Sequence, residues 1–252
     1  MSLEMFSLKG RTAIVTGANT GLGQGIAVGL ASAGANIIAV GTSQPTETEK
    51  KVAEHCGSFA YLPADLRSTE PLSAVMAEAI DQFGRIDILV NNAGMIRRED
   101  SVNFSEADWD DVMNVNIKSA FFLCQLAGRH MIKMGGGKII NVASMLSFQG
   151  GIRVPSYTAS KSALAGITKL LANEWASKNV NVNAIAPGYM ATDNTAALRD
   201  DPTRATEIMS RIPAGRWGHP SDLAGAAIFL ASAASDYMHG TIVPVDGGWL
   251  AR

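Results

Sequence analysis

The stretch TAIVTGANTGLG, residues 12–23, passes from a β-branched apolar run into a turn with glycine at positions 17, 21 and 23. The run has the composition of a strand. The glycines let the chain turn sharply and bring backbone N–H groups close to a pyrophosphate, whose charge is favoured by the N-terminus of the helix that follows. That is the local design of a dinucleotide site, built from Gly17, Asn19, Thr20, Gly21, Leu22 and Gly23. The spacing is G-x3-G-x-G instead of the common G-x-G-x-x-G, so taken alone it suits a tight strand-to-helix turn equally well.

Working outward, short β-branched runs alternate with longer amphipathic stretches, as in a parallel sheet covered on both faces. Strands are predicted at 12–16, 36–40, 58–62, 86–90, 138–142, 181–186 and 241–245, and the clearest helices at 22–32, 69–83, 106–134, 157–177 and 221–231. The chain therefore reads as α/β, a single Rossmann-type domain over 1–252 with a doubly wound parallel sheet of about seven strands. Residues 190–218 are less regular and richer in polar residues and proline. They follow the sixth strand at the end of the sheet where ligands bind, which is the place for a substrate lid. No internal repeat, low-complexity segment or linker interrupts the pattern.

A chain of 252 residues with 47% hydrophobic content can bury a large core as one domain. Its 21 basic and 23 acidic side chains give a net charge of -2, without the basic excess that nucleic acid or an anionic membrane would call for. No apolar run reaches the roughly 18 residues of a membrane span, and MSLEMFSLKG lacks the apolar segment of a signal peptide. A cytoplasmic protein is expected, with residues 1–3 set aside as an expression remnant. Cys56 and Cys124 share no ligand spacing with histidine, so both read as reduced small apolar residues and no metal is expected. His55, His130, His219 and His239 read as structural or surface groups, and Trp109, Trp175, Trp217 and Trp249 as packing residues.

An acidic side chain after the second strand would hold the ribose hydroxyls of NAD, and an arginine would pair with the 2′-phosphate of NADP. Here the stretch is AVGTSQP. Thr42 and Ser43, beside Gly41, can hydrogen-bond a ribose but offer a phosphate no charge, and Asn19 and Thr20 add none. NAD is the cofactor this favours. After the third strand, Asp65 can accept from the adenine amino group with Leu66 packing the ring, or Asp65 can cap a helix or close a turn.

Further on stand NNAG at 91–94, NVN at 114–116, NVAS at 141–144 and YTASK at 157–161. Tyr157 and Lys161 alone would also fit a half-buried aromatic with a solvated charge one turn on. Together with TGANTGLG, in this order and spacing over almost the whole chain, the motifs closely resemble the short-chain dehydrogenase/reductase family. The resemblance implies a catalytic tetrad of Asn116, Ser144, Tyr157 and Lys161, with Pro187, Gly188 and Thr192 near the nicotinamide. Asn91, Ala93 and Gly94 are expected to support the central sheet and the cofactor, while Asn92 suits a turn or a cofactor contact.

The residue types fit proton transfer coupled to hydride transfer at a carbinol carbon. An unperturbed tyrosine, with a pKa of about 10, is a poor base near neutrality. Lys161 lies on the same helical face, roughly 6 Å away between Cβ atoms, where its charge favours the phenolate. Ser144 can hold the substrate oxygen beside Tyr157, and Asn116, a poor helix former, can distort its helix to hold a relay water.

The stretches GGIRVPSYTASKSAL, NEWASKNVNVNAIAPGYMATDNT, RIPAGRWGHPSDL and VDGGWLAR resemble the family members that act on six-carbon deoxy sugar acids of the 2-deoxy-D-gluconate and 2-dehydro-3-deoxy-D-gluconate type. Those enzymes serve bacterial breakdown of pectin-derived uronates. The implied substrate carries a carboxylate, which arginine meets with two parallel bonds. Arg153 is the first candidate, and Arg97 and Arg204 are others; each also reads as a surface arginine. The alternatives are a 3-oxoacyl carrier-protein reductase using NADPH, which would carry a base where Thr20 or Thr42 stands, and an NAD-sensing regulator without catalysis, against which the intact tetrad argues. The family also implies a homotetramer, with helices 106–134 and 157–177 meeting partner copies and Ala159, Ala163 and Gly166 permitting close approach, a pattern that equally suits packing within the chain.

Overall fold

The computed structural model describes residues 3–55 and 57–252. Met1, Ser2 and Cys56, with the readings made of them, lie outside the described residues. Seven strands, β1 (Thr12–Thr16), β2 (Asn36–Gly41), β3 (Phe59–Pro63), β4 (Ile88–Asn91), β5 (Gly137–Val142), β6 (Val180–Pro187) and β7 (Ile242–Val245), form one sheet in the order β3-β2-β1-β4-β5-β6-β7. All six pairings are parallel. Each predicted strand is present within two residues of its expected ends.

Alternate strand residues feed two cores, as covering a sheet on both faces demands. Ala13, Val15, Ile37, Ile88 and Val90 join Leu30, Leu223 and Leu230 on one face, where α1 (Gly21–Ser32) and α9 (Ala224–Ala231) lie. Ile14, Ile38, Leu89 and Ile139 join Val75, Leu123 and Leu171 on the other, under α3 (Leu72–Phe83), α5 (Ala120–Met134) and α6 (Pro155–Trp175). Order reverses beside β1, between β2 and β4, and that is where such a sheet leaves a crevice at its carboxyl end.

Three departures from the sequence reading have local causes. The α3 helix begins at Leu72 and not at 69, because Pro71 occupies its N-cap and supplies no N–H of its own. An eight-residue helix, α2 (Thr46–Ala53), was not expected: within TETEKKVA only Thr48 and Val52 are buried, too few for an apolar stripe. Thr48 Oγ1 nevertheless donates to the carbonyl of Ala18 at 2.6 Å and ties α2 to the glycine turn. Finally, the helix expected over 106–134 is divided into α4 (Glu106–Met113) and α5 by a π-helical turn, Asn114–Ser119. The segment expected as a lid carries two helices of its own, α7 (Ala196–Asp200) and α8 (Pro202–Arg211). Among the described residues no helix is long and apolar enough to cross a membrane.

Candidate active site

The carboxyl ends of the strands open into a cavity of 510 Å³. Gly17, Asn19, Thr20, Gly21, Leu22 and Gly23 form one wall at the β1–α1 turn. Gly17 and Gly21 have φ of 64° and 54°, in the left-handed region that glycine alone enters freely. A Cβ on Gly23 would strike the carbonyl oxygen of Gly17 and the Asn92 amide. Asn92 proves to be both a support and a wall residue: its Nδ2 donates to the carbonyls of Thr16 at 2.9 Å and Gly17 at 3.2 Å. Thr16 Oγ1 in turn accepts from the backbone N–H of Asn92 and Ala93. Asn91 points into the core instead, donating to Asn141 Oδ1 at 2.9 Å and to the sulfur of Cys124 at 3.1 Å. Burial there pushes the Cys124 thiol up to about 12.

At the far end of the cavity stand Gly41, Thr42, Asp65, Leu66 and Arg67. Ser43 is exposed and is not among the wall residues, because the chain has already turned away toward α2. Asp65 faces the cavity and also closes a turn: it accepts from the backbone N–H of Arg67 at 3.0 Å and from its guanidinium at 2.6 Å. Those bonds hold the Asp65 carboxyl below its ordinary range. With α3 starting at Leu72, Asp65 is not its cap. No cationic side chain stands at the end of β2, and Arg67 is committed to Asp65.

Ala93, Gly94, Pro187, Gly188 and Thr192 surround the opposite end, with Ser144, Tyr157 and Lys161 on the same wall. Ser144 follows β5 in extended backbone and accepts from the N–H of Leu146 at 3.2 Å. Tyr157 is the third residue of α6, and its side chain stands near enough to Ser144 for that hydroxyl to favour the phenolate. Lys161, one turn further along, donates to the carbonyl of Val142 at 2.6 Å and lies 5.7 Å from the Tyr157 ring centre. Asn116 sits behind the wall in the π turn, where Oδ1 accepts from Met95 N at 2.8 Å and Nδ2 donates to Met95 O at 3.0 Å and Ser160 Oγ at 3.1 Å. The helix distortion expected at Asn116 is therefore present, but its side chain is occupied in tying the chain after β4 to α6. Such wide turns recur at functional sites.

The electrostatics differ from the sequence expectation. Burial raises the Tyr157 pKa, opposed by the nearby Ser144 hydroxyl and by the charge of Arg98. Burial also pulls Lys161 down to about 8. The amine of Lys161 donates to Val142 while staying beside the Tyr157 ring, and Arg98 adds a second positive charge that favours the phenolate.

Each of the three arginines considered for a carboxylate has an acidic partner. Arg97 pairs with Asp108 at 3.1 Å and Asp111 at 3.3 Å, and Arg204 with Glu207 at 2.8 Å. Arg153 is not among the wall residues; its guanidinium pairs with Asp100 at 3.0 Å and its backbone φ is 62°. Sequence reading missed Arg98. Its guanidinium donates to the carbonyl of Asn194, a wall residue of the lid, at 3.0 Å. The RR pair at 97–98 gave no means of telling which of the two faces the site. Among the described residues no three His, Cys, Asp or Glu side chains are grouped to hold a metal.

A glycine cradle that a Cβ would fill, an elongated cavity and a Ser–Tyr–Lys wall at its other end fit a nicotinamide dinucleotide. Fold and site together define a nicotinamide-dependent oxidoreductase. A family profile described as enoyl-(acyl carrier protein) reductase matches residues 17–250. The chain is 62% identical to the 2-dehydro-3-deoxy-D-gluconate 5-dehydrogenase of Escherichia coli K12, over 100% of both chains. It is similar to the crystal structure of a putative 2-deoxy-D-gluconate 3-dehydrogenase from Agrobacterium tumefaciens with bound NADP, at 59% identity and a TM-score of 0.93, covering 98% of this chain and 99% of that one. A putative NAD(P)-dependent gluconate 5-dehydrogenase from Beutenbergia cavernae, also with NADP, matches at 49% identity and a TM-score of 0.94 over 98% of this chain and 100% of that one. The chain belongs to the short-chain dehydrogenase/reductase family.

Proposed function

We propose that this chain interconverts a secondary hydroxyl and a ketone on a six-carbon deoxy sugar acid, of the 2-deoxy-D-gluconate or 2-dehydro-3-deoxy-D-gluconate type, with NAD(H). For the substrate, the observation that carries the reading is the 62% identity over the whole of the Escherichia coli dehydrogenase. For the chemistry it is the placement of Tyr157 beside Ser144 and Lys161 on one wall of the cavity.

When bound, the nicotinamide ring supplies the hydride acceptor or donor. In the oxidative direction Tyr157, as phenolate, takes the carbinol proton while the carbon gives up its hydride; in reduction the same hydroxyl returns the proton to the carbonyl oxygen. Ser144 donates to that oxygen and fixes it beside Tyr157. Lys161 and Arg98 supply the positive charge that lets a buried tyrosine ionise. Asn116 acts as a strut, holding the π turn, Met95 and Ser160 in register with Tyr157.

Arg98, not Arg153, is the side chain we assign to the substrate carboxylate, since its guanidinium meets an uncharged lid carbonyl and its charge reaches Tyr157. NAD is the preferred nucleotide, because no cation at the end of β2 awaits a 2′-phosphate. Among the described residues the end of β2 carries no acidic side chain to repel one, and the charge of nearby Asp65 is offset by Arg67, which agrees with NADP in the relatives' crystals. On this reading the protein acts in the cytoplasm as a homotetramer, on a sugar acid formed in the breakdown of pectin-derived uronates. Half-exposed Trp109, Phe122 and Leu170 on α4, α5 and α6, with Ala159, Ala163 and Gly166 along α6, support association through those helices.

Initial rates at the reduced-nicotinamide absorbance band test the reading, with NAD and NADP in turn, on 2-deoxy-D-gluconate beside an acyl thioester and a plain secondary alcohol. NAD reduction driven selectively by the sugar acid is the expected result. Oxidation of NADPH by the thioester would overturn the substrate and cofactor assignments and leave the fold and tetrad standing.

A further inference from the structure

The α8 helix of the lid is amphipathic and almost wholly exposed; Ile208 is its one buried residue, with Ile212 buried just beyond its end. Both belong to a small cluster separate from the two sheet cores, whose other buried members are Met145 and Trp249. Met145 follows Ser144 directly. Trp249 comes from the segment after β7 and is only 4% exposed.

Several contacts converge on that indole. Its Nε1 donates to Gln149 Oε1 at 3.4 Å, on the loop between β5 and α6. Tyr189, just past the Pro187–Gly188 wall, packs against it with its ring tilted by 57°, at 4.7 Å between ring centres. The guanidinium of Arg211, the last residue of α8, lies 4.0 Å from the ring. Neighbouring residues add further ties to the same stretch of lid: Ala214 N donates to Gly247 O at 2.9 Å, and Arg252 donates to the carbonyl of Ser210 at 2.6 Å.

From this convergence we propose that Trp249 is a positioning residue, a wedge that docks α8 against the Ser144–Met145 segment and so sets the shape of the substrate side of the site. The inference rests on the reading of 190–218 as the substrate lid. Burial of apolar area is what holds a helix of this kind, and among the described residues the buried part of α8 lies in this one cluster, with Trp249 its largest buried side chain and Tyr189, Leu198, Trp217 and Leu250 at its edge. Removing the indole therefore frees α8 without disturbing the two sheet cores or the glycine turn. Arg98 reaches the other arm of the lid through Asn194, and that arm would lose its register when α8 drifts.

Trp249→Ala and Trp249→Phe, each in the full chain, test the wedge. Three measurements are compared with wild type: KM and kcat for the sugar acid, Kd for reduced nicotinamide by fluorescence, and the rate of tryptic nicking at Arg204 and Arg211. For Trp249→Ala the expected result is a KM raised roughly tenfold or more with kcat nearly kept, because a displaced lid removes binding shared by ground and transition states. Nicotinamide Kd should stay within twofold and nicking should accelerate at least tenfold, with Trp249→Phe restoring most of both. Unchanged nicking overturns the wedge, and accelerated nicking with an unchanged KM overturns its role toward substrate. A parallel loss of nicotinamide affinity would mean that Trp249 serves general stability, which also overturns the proposal. Should wild type fail to turn over the sugar acid, the functional reading falls by itself, and nicking still decides whether Trp249 holds α8.

Discussion

The glycine turn and the lid border the same cavity but are held by different means. Between β1 and α1 the chain is fixed by backbone geometry, by Asn92 and Thr16 bonding its carbonyls and neighbours, and by a core of fully buried residues on each side. Beyond Met190, which joins a sheet core, residues 190–218 rest on a satellite cluster, on a few backbone bonds such as the bridge between Met190 and Gly218 and that of Ala214 with Gly247, and on bonds such as Arg98 to Asn194 that are exposed to water. A region built from backbone contacts leaves little freedom in sequence or position. A region built from a small satellite cluster and half-exposed charges can change its contents without unfolding the sheet, which suits the side that must select a substrate.

Tyr157 stands where the two regions meet, and Tyr157→Phe should have the largest effect. Losing the hydroxyl while keeping the ring removes the proton-transfer group, so kcat should fall by about 10²–10⁴-fold. Nicotinamide Kd should change little if the cofactor half is independent. A fall in cofactor affinity as large as the fall in kcat would break the separation between the halves.

Gly23→Ala probes the cofactor half alone. The added methyl meets Gly17 O and Asn92 Nδ2 in a region with no slack, and overpacking of this kind costs about 1–3 kcal/mol. The expectation is a weaker nicotinamide Kd and a lower Tm, with KM for sugar acid at saturating cofactor unchanged. If Kd held at the wild-type value, the glycine turn would be looser than its contacts imply.

This difference also explains what was legible in the sequence. The strands, the crevice and the glycine wall follow from residue types that backbone sterics require, and the seven strand positions could be read from alternation alone. The α2 helix could not, because its buried face is one threonine and one valine and its tie to the turn is the Thr48 hydroxyl. Nor could the orientation of Arg97 and Arg98: adjacent residues in an irregular segment face different ways according to what the rest of the fold presents to them. Asp108 and Asp111 take Arg97, and the lid carbonyl takes Arg98. The Trp249 cluster joins residues about 100 positions apart, a closeness that no local pattern encodes.

Protonation gives a third test, at the floor shared by both halves. Burial holds Lys161 at about 8 against an ordinary value near 10.5, so between those limits the unfolded chain binds more protons than the folded one. Stability of the cofactor-free protein should therefore rise with pH from about 8 toward 10.5, with the gain lost again as pH falls back through 8, at no more than about 1.4 kcal/mol per pH unit from this group. Tyr157 works oppositely above its ordinary value of 10, since its raised pKa makes ionisation on unfolding favourable. Lys138 is also lowered by burial, so the comparison to make is wild type against Lys161→Met by urea unfolding at intervals from pH 8 to 10. The variant should show a flatter slope. Equal slopes would mean that the ammonium of Lys161 is solvated in the folded protein.

The smallest effects should come from the lid-side arginines, and they separate two side chains that look alike in sequence. Arg98→Met removes the charge that acts on Tyr157 and is assigned to the carboxylate, so KM for the sugar acid should rise on the order of tenfold, as loss of a hydrogen bond to a charged group does. Arg153 is 58% exposed on its side chain and paired with Asp100 and Glu99, contacts worth under about 1 kcal/mol in water. Its φ of 62° costs roughly 1–2 kcal/mol for a residue bearing a Cβ. In Arg153→Gly the relief of that strain opposes the lost ion pairs and the greater freedom of glycine in the unfolded chain. Its unfolding free energy should therefore stay within about 1 kcal/mol of wild type, and KM should not move. A KM raised by Arg153→Gly and unchanged by Arg98→Met would reverse the assignment, and would mean that the Arg153–Asp100 pair opens to receive the carboxylate.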